Sequence, residues 1–234
     1  MNGGAAPRGR GEELLLARIS AAAGRADLGR RYATYRAPRT EPGTRWAAAV
    51  GAGVRHLLRT GGRPVTGAGA RLDLYERGVT AFTGGRIHVI RFDTTVMRRL
   101  RVLSPRGVTC ALAFVGVDGE RVVLCRGHFG RPGEWWPEVG RAVADAQVPR
   151  ALAALRRGAR LAFGPVWITG DEVGSRGTAL RWTQVQRIET LDGSFVVHAA
   201  DRRRVWVTAA SGIPNLCVLR ALAEHLAGAE RDDD

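Results

Sequence analysis

The chain contains no lysine: its 36 basic residues are all arginine. That absence removes whole classes of chemistry. A P-loop needs a lysine on the phosphates, a Schiff-base enzyme needs a lysine amine, and the usual kinase ATP site needs its own lysine. Cysteine is scarce as well. Cys110, Cys125 and Cys217 stand far apart with no Cys-x-x-Cys, and three thiols cannot pair completely. Two of them lie in alternating apolar runs, where cysteine behaves as a small core hydrophobe, so a reduced, cytoplasmic setting is expected. No apolar run approaches the ~20 residues of a membrane span. Glu12, Glu13 and Arg18 interrupt the leucines near the start, and no signal peptide is expected.

What is present is an ordinary globular composition, 45% hydrophobic and 25% charged, in 234 residues. That length allows one large domain or two small ones. The net charge of +14 ordinarily suggests nucleic acid or an acidic surface as partner. Abundant alanine, glycine and valine beside absent lysine and rare asparagine are also what a very GC-rich genome imposes, so basicity alone is poor evidence of purpose. Its distribution says more. Residues 1–71 hold 13 arginines and 4 acids, a net of +9, whereas residues 72–234 hold 23 arginines and 18 acids, a net of +5.

Catalytic and metal-binding patterns are missing. His56, His88, His128, His198 and His225 are isolated, without His-x-x-x-His or His/Cys spacing. No Gly-x-Ser-x-Gly occurs, and Ser194 follows Gly193 in a turn. Glu134 and Glu138 flank Trp135 and Trp136 at helical spacing, which reads as favourable charge near a helix start rather than paired acid–base catalysis. No Gly-x-Gly-x-x-Gly joins a strand to a helix. The expectation is a protein that is not an enzyme and uses no cofactor or metal.

Along the chain, the spacing predicts a short helix over residues 12–23, then a basic, turn-rich arm. Residues 46–59 give a weak helix weakened further by Gly51 and Gly53, and "TGGRPVTGAGA" has linker composition. From residue 71 the period becomes two. "RLDLYE", "VTAFT" and "RIHVIRF" are strands separated by glycine turns, and residues 108–114 pair with "RVVLCR" across Asp118–Gly119. A helix is expected from Pro137, and a second short one, "RALAALRRG", after Pro149. "LRWTQVQRIETLDGSFVVH" then reads as a hairpin turning at Asp192–Gly193.

Landmarks recur in order. "ARL" at 70–72 meets "ARL" at 159–161, Arg91–Phe92 meets Arg181–Trp182, and "VGRAVAD" (139–145) meets "VLRALAE" (218–224). The reading is α+β: two tandem units, each an antiparallel meander or barrel of strands closed by a C-terminal helix, after a short N-terminal helix and basic arm. The expected boundaries are the helix and arm at 1–39, a Gly-rich linker with the weak helix at 40–69, a first unit at 70–148, a connecting helix at 149–158, and a second unit with an acidic tail at 159–234.

Strands followed by one closing helix resemble the pleckstrin-homology-like (PH-like) superfold. The segments "ARLDLYERGVTAF", "GRIHVIRFDTT", "AVADAQVPRALAAL" and "ALRWTQVQRIETLDG" resemble an actinobacterial family of tandem PH-like proteins of unknown function. That resemblance supplies no catalytic residue. PH-like folds often take anionic head groups on basic strand and loop residues. The candidates for anion binding are therefore Arg98, Arg99 and Arg101, then Arg202, Arg203 and Arg204, with Arg30 and Arg31 in the arm. The first hairpin carries only Arg77 with Glu76, and residues 165–168 carry nothing basic, unlike the PH-like phosphoinositide pattern. The functional expectation is a binding or scaffold protein acting on a protein partner. The alternatives are an anionic membrane surface at the inner face and, more remotely, an enzyme or a nucleic-acid binder.

Overall fold

The computed structural model describes residues 8–37, 63–64, 69–104, 107–127, 129–191, 193–199 and 204–232. The weak helix expected over 46–59 lies outside the described residues. Three α-helices and four sheets make up a mixed α+β fold among these residues, and no sheet closes into a barrel.

Helix α1 spans Arg8–Arg25. Ile19, Ala22 and Ala23 are buried at i, i+3 and i+4, the stripe that amphipathic packing requires. The helix runs through Gly24, and the left-handed turn that ends it falls at Asp27, with φ 53°.

The first sheet has the order β1 (Arg31–Arg36), β3 (Arg71–Tyr75), β4 (Gly78–Thr83) and β5 (Arg86–Arg91), all antiparallel. Leu72, Leu74, Val79, Ala81 and Ile90 are fully buried on its inner face. The reverse face of β3 is buried too, where Tyr75 meets Ala23 and Leu28 beneath α1. The second sheet has the order β2 (Arg63–Pro64), β8 (Arg121–Cys125), β7 (Gly107–Val115) and β6 (Arg98–Ser104), with β2 parallel to β8.

Helix α2 then runs unbroken from Pro132 to Arg156. The break expected at Pro149 is not made. Proline removes one hydrogen bond, but buried Val143 before it and buried Leu155 after it hold both segments on one axis. The helix also starts earlier than Pro137, because Pro132 already occupies its first turn and Trp135, fully buried, meets Phe129 edge to face at 5.8 Å.

The second half repeats this order. Strands β9 (Leu161–Phe163), β10 (Val166–Ile168), β11 (Glu172–Ser175) and β12 (Thr178–Arg181) form an antiparallel meander. Strands β13 (Val185–Leu191), β14 (Ser194–Ala199) and β15 (Arg204–Ala209) form another, and α3 (Leu216–Asp232) closes the chain. In the third sheet, Trp167 lies across Gly174, where a Cβ would come within 2.3 Å of the ring, and Arg160 stacks over that ring at 3.8 Å. Only glycine fits there.

The expected hairpin over 180–198 is divided. Its first strand ends at Arg181, the 3-10 turn Trp182–Gln184 carries the chain from one sheet to the next, and β13 begins at Val185. Trp182 is buried at this corner, its backbone N–H bonded to the Asp171 carbonyl. Phe92, buried directly after β5, stands at the corresponding corner with its N–H on the Arg77 carbonyl. The alignment of residues 70–72 with 159–161 is one strand out of step in sheet order. Residues 71–72 belong to the second strand of the first sheet and Leu161 to the first strand of the third. The displaced strand is β1, supplied from the arm.

The halves share one apolar cluster that runs from Tyr35 to Ala227 and includes Trp135, Val139, Trp182, Phe195, Leu219 and Leu222. Helices α2 and α3 pack against each other. The polar seam between the halves centres on Asn215. Its Oδ1 accepts from the Met97 N–H at 2.6 Å, and its Nδ2 donates to Gln147 Oε1 at 2.9 Å and to the Thr95 carbonyl at 3.3 Å. Gln147 in turn donates to the Phe92 and Thr95 carbonyls.

Candidate binding surfaces

The candidate arginines fall into three environments. Arg98, Arg99 and Arg101 lie on β6, the edge of the second sheet, and turn toward the second half of the chain. Arg98 is exposed and donates to the Gly212 carbonyl at 3.4 Å. Arg99 has its Nε buried without a hydrogen-bond partner. The Arg101 guanidinium lies against Gly193 in the turn between β13 and β14. Arg204 opens β15, its backbone opposite His198, while Arg202 and Arg203 lie outside the described residues. Arg30 and Arg31 stand at the start of β1. The Arg30 N–H meets Glu76 Oε2 at 3.1 Å, and Arg31 Nη1 is 3.8 Å from Asp73 Oδ1.

That last contact leads to a feature the sequence did not reveal. Asp73 is fully buried on β3, held by the Arg71 guanidinium at 2.7 and 2.8 Å and by the Thr34 hydroxyl from β1. A carboxylate in so dry a place requires a cation and hydrogen bonds around it. The alternation in "RLDLY" placed Arg71 and Asp73 on one face but gave no sign that β1 would cover that face. Beside them an open groove of about 470 Å³ is lined by Thr34, Tyr35, Arg36, Arg71, Gly130 and Arg131. Its cations are engaged: Arg36 with Glu12 at 2.6 Å, Arg131 with Glu134 at 3.2 Å and over the Tyr35 ring.

A larger open groove, about 700 Å³, runs between α1 and β5. Ala21, Ala22, Ile87, Val89 and Val117 give it an apolar lining, with Arg18, Arg25, Arg91 and Asp27 around it. Arg91 is held by both carboxylate oxygens of Asp93, at 3.0 and 2.9 Å, and donates to the Ala26 carbonyl at 2.8 Å, which ties the end of α1 to β5. The Arg91 guanidinium lowers the pKa of Asp93 in return. Asp27 pairs with Arg77 at 2.6 Å.

Burial pushes the Cys125 and Cys217 thiols up to about 11, so both are protonated, poor nucleophiles at neutral pH. Burial and the neighbouring Glu138 carboxylate push the Tyr32 phenol up to about 12. His88 meets Glu120 at 3.1 Å and His198 meets Glu189 at 3.0 Å, each a single acid–imidazole pair. Among the described residues no group of three or more His, Cys, Asp and Glu side chains could hold a metal ion. No helix among them is long and apolar enough to cross a membrane.

The family of unknown function DUF6585 matches residues 68–232. The chain belongs to this family. The DUF6585 match begins just before β3 and ends with α3, so α1 and β1 lie outside it. Thr34, Tyr35 and Arg36 of the smaller groove and the α1 wall of the larger therefore come from beyond the matched segment. No curated protein and no solved structure matches the chain.

Proposed function

We propose that the protein is a non-enzymatic binding or scaffold protein, built of two tandem PH-like units and acting on a protein partner. The observation that supports this reading is the repeated order of a four-stranded sheet, a second sheet and a closing helix, in which the fourth strand ends at a buried aromatic corner both times. The two halves rest on one core, so the molecule presents its grooves and sheet edges at fixed separation. Its buried ionisable groups serve packing. The Arg71–Asp73 pair is enclosed by Thr34, and Cys125 sits in an apolar patch with Ala111 and Val123.

The test is capture by the immobilised full chain from an extract of its native host, with proteins and lipids recovered from the same eluate. A protein that stays with the chain in stoichiometric amount through gel filtration supports the reading. Recovery of lipid alone overturns it in favour of a peripheral adaptor on an anionic membrane surface. The observation behind that second reading is the net charge of +9 carried by residues 1–71.

A further inference from the structure

Of the two open grooves, only the one between α1 and β5 keeps cations without an acid to meet them. Arg91 is occupied by Asp93, and Asp27 is occupied by Arg77. Among the described residues, Arg18 and Arg25 have no ion pair. They stand seven residues apart on one side of α1, about 10 Å along its axis at 1.5 Å per residue. Between them the helix presents Ala21 and Ala22, side chains small enough for another backbone to come close. Ile87, Val89 and Val117 form the facing apolar wall, and Val117 is 52% exposed. One turn before Arg18, Leu14 is 63% exposed and extends the apolar stripe.

We infer that this groove docks an extended acidic peptide segment of a partner protein, with two carboxylates about 10 Å apart and apolar side chains between them. That spacing is about three residues of chain extended in the polyproline II form at 3.1 Å each, one full turn, which returns both carboxylates to the same side. The carboxylates meet Arg18 and Arg25, and the apolar side chains cover Val89 and Val117. A concave site with its apolar surface recessed between helix and strand favours a narrow chain over a flat bilayer. The inference rests on the protein-binding reading above and names the site and the chemistry of its partner.

The test uses the full chain and a fluorescein-labelled octapeptide carrying two aspartates three residues apart with valines between them. Its asparagine counterpart and phosphatidylglycerol vesicles are run in parallel. The acidic peptide is expected to bind and the asparagine peptide to bind at least about tenfold more weakly. Arg18→Glu with Arg25→Glu removes the charge match. Ala21→Trp, at an exposed helix position, fills the groove without changing charge. Each should weaken the acidic peptide by about tenfold or more, while Arg156→Glu with Arg157→Glu leaves it nearly unchanged. Absence of acidic-peptide binding overturns the inference. So does a charge reversal that weakens vesicle binding while Ala21→Trp changes nothing, because the arginines then serve a membrane surface. If a stoichiometric partner from host extract is still captured by both groove variants, the groove assignment falls and the protein-binding reading stands.

Discussion

Replacing Asn215 tests whether the two halves are held by their polar seam as well as by their shared core. The side chain accepts from the Met97 N–H at 2.6 Å and donates to Gln147 Oε1 and the Thr95 carbonyl, while its own backbone N–H reaches the Met97 carbonyl at 2.7 Å. In Asn215→Ala the Met97 N–H loses its partner, a cost of about 1–3 kcal/mol for a buried orphaned donor. Asn215 also has φ 47°, and alanine in this left-handed conformation costs a further ~1–2 kcal/mol. The expected loss is about 2–5 kcal/mol, a fall in Tm of roughly 10 °C for a chain of this length. Asn215→Gly separates the contributions, because glycine accepts the backbone angle and loses only the side-chain bonds; it should cost about 1–3 kcal/mol. Urea unfolding followed by circular dichroism and tryptophan fluorescence measures both. An alanine variant within about 0.5 kcal/mol of the parent would refute the role given to the seam. A glycine variant as stable as the parent would reduce that role to backbone strain.

Three further outcomes are expected. Trp182→Ala and Phe92→Ala should each cost about 3–5 kcal/mol in urea unfolding, because both rings are fully buried at their corners, and a loss below 1 kcal/mol for either would contradict that packing. Asp73→Ala leaves the Arg71 guanidinium buried without its carboxylate and should cost about 3–5 kcal/mol, whereas Arg71→Met with Asp73→Leu together should cost less than Asp73→Ala alone. Stability should fall as pH rises from 9 to 11. The Cys125 and Cys217 thiols stay protonated in the fold up to about 11, while the unfolded chain releases those protons from its ordinary value near 9. Their contribution is complete below pH 9 and lost by pH 11, and a Cys125→Ala, Cys217→Ala chain should show a flatter urea midpoint across that range.

Much of the secondary structure was legible because apolar spacing and turn chemistry agreed. Strands β3 to β5 follow from alternation between glycine turns, and the Val139 and Val143 stripe of α2 from helical spacing. The failures have physical causes. "RYATYR" reads as polar because β1 is an edge strand with only Tyr35 buried, so its pairing with β3 left little mark. Pro149 signals a break that burial on either side overrides. Trp182 continues the period of β12, which concealed the corner beneath it. The candidate site was less legible still. Arginine clusters are visible in a sequence, but their partners are not. Arg31 reaches Asp73 across 42 positions, and Asn215 reaches Met97 across 118. The groove beside α1 depends on which helix face the sheet covers, and composition does not specify that.

The placement of β1 has a kinetic consequence. In the third sheet every strand pairs with its immediate neighbour in the chain through a short turn, as Phe163 with Val166. In the first sheet Arg36 must find Arg71 after the chain has passed through a long excursion that also delivers β2 to a different sheet. Closing the longer loop costs more entropy before any contact rewards it, and non-local pairing slows assembly. The second half is therefore the natural nucleus, with β1 docking late as the piece that seals Asp73 from water. Pulse-labelled hydrogen exchange during refolding should find amides of β10 and β11 protected before those of β1 and β3.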